Sequence, residues 1–200
     1  MSAPGGALPL PALKAAFDHR PTARGHVVLV RRRRAWCALT VAIAVGGAYL
    51  HVVRWSPGLT VVYLLLAPTL VGATAATLRQ ARRIEAVLRA YPWRAYACSY
   101  PPHPSTGPVT IAIRFDDAYA PVLRLTPHPV ELEHKRNPRP DTIWFAGDPR
   151  FGGVVSPVGG HYPVRVVPQD LGDHVPPGTT EEDARAERAG IQHRGRARQL

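Results

Sequence analysis

The residues best suited to metal chemistry lie in the run HPVELEH, which contains His128, Glu131, Glu133 and His134. Imidazole and carboxylate groups are common ligands of divalent metal ions. Successive side chains of a β-strand point to opposite faces, so in a strand the two glutamates share one face and the two histidines the other. Because ligands must converge on a metal, we predict no metal site here and expect a solvated strand edge.

Acid–base or nucleophilic chemistry would fall to Asp116, Asp117 or Cys98. The two aspartates lie in a predicted turn, where this residue type hydrogen-bonds its own backbone. Cys98 has no histidine nearby in sequence and no helix N-terminus beside it, so we expect a buried, structural thiol. Walker, G-x-S-x-G, H-E-x-x-H, C-x-x-C and Rossmann patterns are all missing. The sequence therefore predicts no enzymatic activity and no cofactor.

One segment combines aromatic residues with a cation around a Gly/Pro turn. It runs from Ile143 to Val155 and includes Trp144, Arg150 and Phe151. Two interpretations stay open for it. It is either a structural hairpin corner or a small interaction surface built from those three side chains.

The region that holds these candidates, residues 93–168, is typical of short strands separated by turns. Residues Val109 to Phe115 alternate apolar and other side chains with a period of two. Aspartate, proline and glycine clusters supply the turns. The predicted strands are 94–100, 109–115, 122–126, 130–134, 142–146, 153–156 and 164–167. This spacing predicts a small, mainly antiparallel β domain, folded as a barrel, a roll or a sandwich.

Upstream of that region, residues 35–53 and 57–78 contain no Lys, Arg, Asp or Glu. About 20 residues of helix cross a hydrocarbon core, so the two stretches predict a transmembrane hairpin within residues 31–92. No helix breaker occurs between Leu78 and Pro92, and apolar residues recur there at helical spacing. We therefore expect the second helix to continue beyond the bilayer, to dock on the following domain and to end at Pro92.

The distribution of charge supports the same interpretation. The net charge is +11, and the excess flanks the two stretches. The arginines concerned are Arg31, Arg32, Arg33, Arg34, Arg79, Arg82 and Arg83. Arginine accumulates on cytoplasmic flanks, so these residues predict a multi-pass protein of the cell membrane with both termini in the cytoplasm and the lipid bilayer as a partner. Residues 95–200 are net neutral, which argues against a nucleic-acid partner.

Small residues form two stripes at every fourth position of the predicted helices. These residues are Ala38, Ala42 and Gly46 in the first helix, and Gly72 and Ala76 in the second. Such stripes permit close approach of helices, either within the hairpin or between copies of the chain.

The two ends of the chain have low-complexity compositions. Residues 1–30 predict a disordered cytoplasmic leader, and residues 169–200 a disordered or marginally helical tail. A helix from Thr180 to Gly190 would have mostly alanines at its apolar positions, so we expect it to bury no face. The predicted fold class is an α+β membrane protein: a two-helix transmembrane hairpin, a small β domain and disordered termini.

The run WFAGDPRFGGVVSPVGG, which follows the arginine-rich hairpin and a YPW helix end, resembles uncharacterised actinobacterial two-span integral membrane proteins with a small C-terminal β domain. The resemblance covers residues 31–168 and implies no known activity. The layout is also similar to bacterial pleckstrin-homology-like membrane proteins.

These observations predict a non-enzymatic integral membrane protein that presents its β domain in the cytoplasm as an interaction or scaffold module. Its protein partner is unknown, or is a second copy of the chain. The alternative is an auxiliary subunit of a membrane enzyme or transporter.

Overall fold

The computed structural model describes residues 13–53, 57–101, 109–117, 119–126, 132, 137–169 and 178–192. The chain divides into two compact units. One comprises Met1–His26 and Arg83–Leu200 and is called the barrel unit here, and the other comprises Val27–Arg82 and is called the helical unit.

The described part of the barrel unit contains six strands. They are β1 (Arg94–Ser99), β2 (Thr110–Arg114), β3 (Val122–Thr126), β4 (Thr142–Asp148), β5 (Gly152–Pro157) and β6 (Val164–Pro168). All neighbours are antiparallel, and the order β1-β2-β3-β6-β5-β4 closes because β4 also pairs with β1. The small β domain is therefore a closed barrel, which removes the exposed edges that a roll or a sandwich would leave. The predicted strand at 130–134 lies outside the described residues except for Leu132.

Along β4, the barrel wall carries apolar side chains on both its inner and its outer face. Ile143 and Phe145 belong to the interior core, together with apolar residues of the other strands. Trp144 and Ala146 belong to a second core outside the wall. This division follows from the period of two in a strand. β4 is buried over most of its length and β5 over all of it, because a layer of helix covers their outer face.

That layer includes the end of α2 (Pro57–Ala90). Within the barrel unit, Ile84, Val87, Leu88 and Tyr91 are all buried in the outer core. The spacing of these residues places them on one helical face, and Pro92 follows directly after them. The sequence prediction that this stripe docks on the β domain is confirmed.

The layer is completed by α3 (Thr180–Arg188), which begins with a capping box. Thr179 Oγ1 accepts the backbone N–H of Glu182, and the Glu182 carboxylate accepts the backbone N–H of Thr179. Ala186, Ala189 and Ile191 are buried in the outer core. The expectation that this helix buries no face is wrong, because small alanine side chains allow a helix to approach the apolar wall of the barrel closely.

The helical unit consists of the larger parts of α1 (Arg20–Val53) and α2. In the described part of the chain, no helix combines the length and the apolar character that a membrane crossing requires. The predicted transmembrane hairpin, the fold class built on it and the multi-pass membrane localisation are therefore wrong. The prediction was based only on the length of the two uncharged stretches. That criterion gives alanine, glycine and threonine the same weight as leucine, whereas a membrane span requires strongly apolar residues along its whole length.

α1 also begins earlier than the sequence suggests. Its first residue is Arg20, inside the segment 1–30 that was expected to be a leader, and a 3₁₀ turn at Ala16–Asp18 precedes it. The arginines Arg31 to Arg34 thus lie within a continuous helix rather than in front of one. Residues 1–12 of the predicted leader and residues 170–177 and 193–200 of the predicted tail lie outside the described residues.

Candidate functional site

Trp144, one of the three residues proposed as an interaction surface, is only 5% exposed. Its ring lies 6.1 Å from the ring of Trp93 and 5.5 Å from that of His19, measured between centroids. Trp93 Nε1 donates a hydrogen bond of 2.9 Å to Thr22 Oγ1, and Thr22 Oγ1 is 3.1 Å from His19 Nδ1. Burial lowers the pKa of His19. Trp144 therefore helps to attach the segment before α1 to the wall of the barrel.

Gly160 makes this attachment sterically possible. It lies in the turn before β6 with a φ of +70°, a conformation that favours glycine. A Cβ at this position would lie 3.1 Å from His19 Nδ1 and 3.3 Å from Trp93 Nε1. A side chain here would displace the polar groups that hold Thr22.

Arg150, the second of the three residues, is 8% exposed and lies in the turn between β4 and β5. The Asp148 carboxylate accepts hydrogen bonds from the Arg150 backbone N–H at 2.9 Å and from its Nη2 at 2.7 Å. Nη2 is also 2.8 Å from Asp183 Oδ1 on α3. The hydrogen bond with Asp148 is the main reason why the pKa of Arg150 is raised.

The remaining contacts of the Arg150 guanidinium complete its enclosure. Its Cζ lies 5.0 Å from the ring centroid of half-buried Phe151, and Gly178 lies so close that a Cβ there would overlap it. The segment from Trp144 to Phe151 is thus a structural corner that joins the barrel to α3. Trp144 and Arg150 make internal contacts and are not available as an open surface.

A different group of cations surrounds a cleft of about 420 Å³ on the barrel unit, which we call the basic cleft. Its lining residues are Lys14, Arg89, Ala90, Pro92, Arg185 and Arg188. They come from the segment before the 3₁₀ turn, the end of α2 and the last turns of α3. Cations are favoured in the last turn of a helix because they complement its dipole, which explains the presence of Arg89 and Arg188 at these positions.

Two of these arginines pair with glutamates of their own helix and lie against aromatic rings. Arg89 pairs with Glu85 at 2.7 Å, and its Cζ lies 5.1 Å from the ring centroid of Phe17. Arg185 pairs with Glu181 at 2.9 Å, and its Cζ lies 5.9 Å from the ring centroid of Tyr91. Tyr91 itself is buried, and this desolvation raises the pKa of its phenol to about 12.

The other two cations, like Arg89, are exposed. No carboxylate of the described residues pairs with Lys14 or Arg188, although Arg188 Nε donates to the backbone oxygen of Ala184 at 3.3 Å. The described lining of the basic cleft includes no acidic residue. Sequence reasoning missed this site because its residues are far apart in the chain. The signal in the sequence was limited to basic residues at two helix ends.

The residues first considered for chemistry are not brought together. Asp117 donates its backbone N–H to Asp116 Oδ1 at 2.7 Å, as expected for a turn. Cys98 is half-buried, its Sγ donates to the backbone oxygen of Pro140, and burial raises its pKa to about 11. Among the residues that the structure describes, no three His, Cys, Asp or Glu side chains could hold a metal ion. His128, Glu131, Glu133 and His134 lie outside that part.

The arginines proposed as topology determinants lie on the surfaces of the two long helices. Arg33 is half-buried, and its Nη1 donates to the backbone oxygen of Thr77 at 2.7 Å, which ties α1 to α2 within the helical unit. The other six are exposed: Arg31, Arg32, Arg34, Arg79, Arg82 and Arg83.

Comparison with known proteins gives no match to a protein-family model, to a curated protein or to a solved structure. The resemblance suggested by residues 31–168 stays a prediction.

Proposed function

We propose that this protein is a non-enzymatic scaffold, in which the helical unit associates with a second copy of the chain and each copy displays a barrel unit. The observation that carries the proposal is the surface of the helical unit. Thirteen large apolar side chains between Val27 and Val71 are 36–67% exposed, whereas the described part of the barrel unit has one such residue, Val122. Exposed apolar side chains concentrated in one unit in this way favour a surface that another molecule covers.

The small-residue stripes support a second helix as the covering element. Ala38, Ala42 and Gly46 are exposed, as are Gly72 and Ala76. A Cβ added at Gly46 or Gly72 would meet no described heavy atom within 4 Å. The two glycines therefore do not serve packing within the described part of the chain, and they leave room for close approach of a helix from another copy. Symmetric pairs are the commonest assemblies of soluble proteins, which favours a second copy over an unrelated chain.

The test is sedimentation velocity of the purified full-length chain over a range of concentrations. We expect a concentration-dependent dimer. Ala42→Ile places a branched side chain in the stripe and should weaken the dimer about tenfold or more, because overpacking costs about 1–3 kcal/mol.

The matched control is Ala184→Ile, the same change at an exposed helical position of the barrel unit. It should leave the dissociation constant unchanged. A chain that stays monomeric at every concentration, or equal weakening by both substitutions, would contradict the proposal.

A further inference from the structure

We propose that the basic cleft binds an acidic peptide segment of another protein, with carboxylates of that segment pairing with its arginines and Lys14. This inference goes beyond the scaffold function and depends on the barrel unit rather than on the helical unit. It assigns a ligand class to a site formed by three separate parts of the chain.

The first argument is electrostatic. Among the described residues that line the basic cleft, four are cations and none is acidic. Two of them, Lys14 and Arg188, have no carboxylate partner among the described residues. Like charges that face one cavity repel each other, and an anionic ligand relieves that repulsion. A cleft lined by one sign of charge also raises the rate at which an oppositely charged ligand arrives.

The second argument concerns the type of anion. Arg89 and Arg185 each already bind one carboxylate of the chain, Glu85 and Glu181, through Nη2. Their guanidinium groups are held over two different rings, those of Phe17 and Tyr91. Because each arginine has its own ring and its own glutamate, the two present separate carboxylate-binding positions, which a peptide with several acidic side chains can occupy together. A single phosphate group would require the guanidinium groups to converge on one point.

The third argument comes from the rest of the lining. Ala90 and Pro92 add apolar surface to the lining, which suits the backbone and the methylene groups of an extended peptide. Single-stranded nucleic acid is instead recognised by aromatic rings on which bases stack. The rings of Phe17 and Tyr91 each carry a guanidinium, and Tyr91 is buried. These features favour an acidic peptide over a nucleic acid.

The cations are also partly preorganised. Stacking on a ring and pairing with a glutamate one helical turn away restrict the rotamers of Arg89 and Arg185 before any ligand arrives. Less side-chain entropy is then lost on binding. A ligand carboxylate must share these arginines with Glu85 and Glu181, both of which are held by salt bridges between neighbours on one helix. Such exposed pairs are weak, so the sharing costs little.

The experiment measures fluorescence anisotropy of a labelled, blocked peptide of alternating glutamate and alanine as the full-length protein is added. The comparison probes are the same peptide with glutamine in place of glutamate, inorganic phosphate as a competitor, and single-stranded oligothymidylate. We expect saturable binding of the glutamate peptide that weakens as salt is raised, and none of the glutamine peptide.

The decisive variant is Arg188→Glu, which reverses an exposed charge in the basic cleft. We expect about tenfold weaker peptide binding, because the change removes one attraction and adds one repulsion. The matched control is Arg114→Glu, at an exposed arginine on β2 that does not line the basic cleft. It makes the same change in net charge and should leave binding within about twofold.

Equal weakening by the two variants would show attraction to the net charge alone and would overturn the proposal. Displacement of the peptide by phosphate at low concentration, or tighter binding of oligothymidylate than of the peptide, would overturn it in favour of another anion. Sedimentation of Arg188→Glu separates this inference from the scaffold function, since the variant should dimerise as the unmodified chain does.

Discussion

Replacing Arg150 by methionine should destabilise the barrel unit far more than removing its partner on α3. Asp148 is 5% exposed, and its carboxylate takes three side-chain contacts and one backbone contact from Arg150. Without the guanidinium this charge would be buried and uncompensated. Breaking one side of a buried ion pair costs about 3–5 kcal/mol, a large share of the roughly 5–15 kcal/mol that stabilises a typical domain.

Asp183→Asn is the contrasting change. The Asp183 side chain is 44% exposed, and Arg150 keeps its contacts with Asp148 when the α3 carboxylate is lost. Because solvent reaches the Asp183 carboxylate, we expect its contact with Arg150 to contribute no more than about 1 kcal/mol. The two substitutions therefore remove neighbouring interactions of one network but should differ several-fold in their effect on the free energy of unfolding.

Urea unfolding followed by tryptophan fluorescence provides the assay, since Trp93 and Trp144 are buried in the outer core beside this corner. The double variant Asp148→Asn with Arg150→Met should recover part of the stability lost by Arg150→Met alone. Asparagine keeps an acceptor for the backbone N–H of residue 150 without a buried charge. Equal, small losses for Arg150→Met and Asp183→Asn, or no recovery in the double variant, would refute the argument from desolvation.

Three further predictions concern single groups. Burial raises the pKa of the Cys98 thiol from 9.0 to about 11, so near pH 8 its thiolate should be about a hundredfold scarcer than in the unfolded chain. Peptide mass spectrometry after timed alkylation should show slow labelling of Cys98 that accelerates as the pH is raised or urea is added; equal rates in the folded and unfolded chain would contradict this. Thr179→Ala should destabilise α3 by about 1 kcal/mol because it removes half of the capping box, a change that hydrogen exchange of the α3 amides measures. The pKa of Glu182 is lowered chiefly by its hydrogen bond from the Thr179 backbone. The stability that this carboxylate adds to α3 is therefore present above pH 4.5, the ordinary pKa, and is lost as the pH falls through the lowered pKa. Unchanged protection of the α3 amides against hydrogen exchange at low pH would contradict this.

The strand pattern is the part of the fold that the sequence predicted best. Alternation between Val109 and Phe115 indicates β2, and the predicted strands from 122 and from 142 begin at the first residues of β3 and β4. Such patterns depend on neighbours one or two residues apart, so they can be read locally. The end of α2 just before Pro92 is equally local, because proline disfavours helix at the residue before it.

The expectations that failed depended on what a segment packs against. The tail helix was expected to bury nothing, yet Ala186 and Ala189 pack against the barrel wall. Trp144 and Arg150 were considered as a surface, yet α3 and the segment before α1 cover them. The sequence does not show which element covers a small or a charged residue, because the covering element is distant in the chain.

By itself, the sequence determined the strands, the extent of α2 and the turn roles of residues such as Asp116, since backbone preference and side-chain period fix these features over a few residues. Only the tertiary structure decided that β4 returns to pair with β1 and closes the barrel, and that Lys14, Arg89, Arg185 and Arg188 share one cleft. Closure and convergence join residues far apart along the chain. The closed barrel and the shared cleft both depend on the burial of the two faces of β4 and β5. That burial arises only when the layers are assembled and cannot be assigned to any single segment.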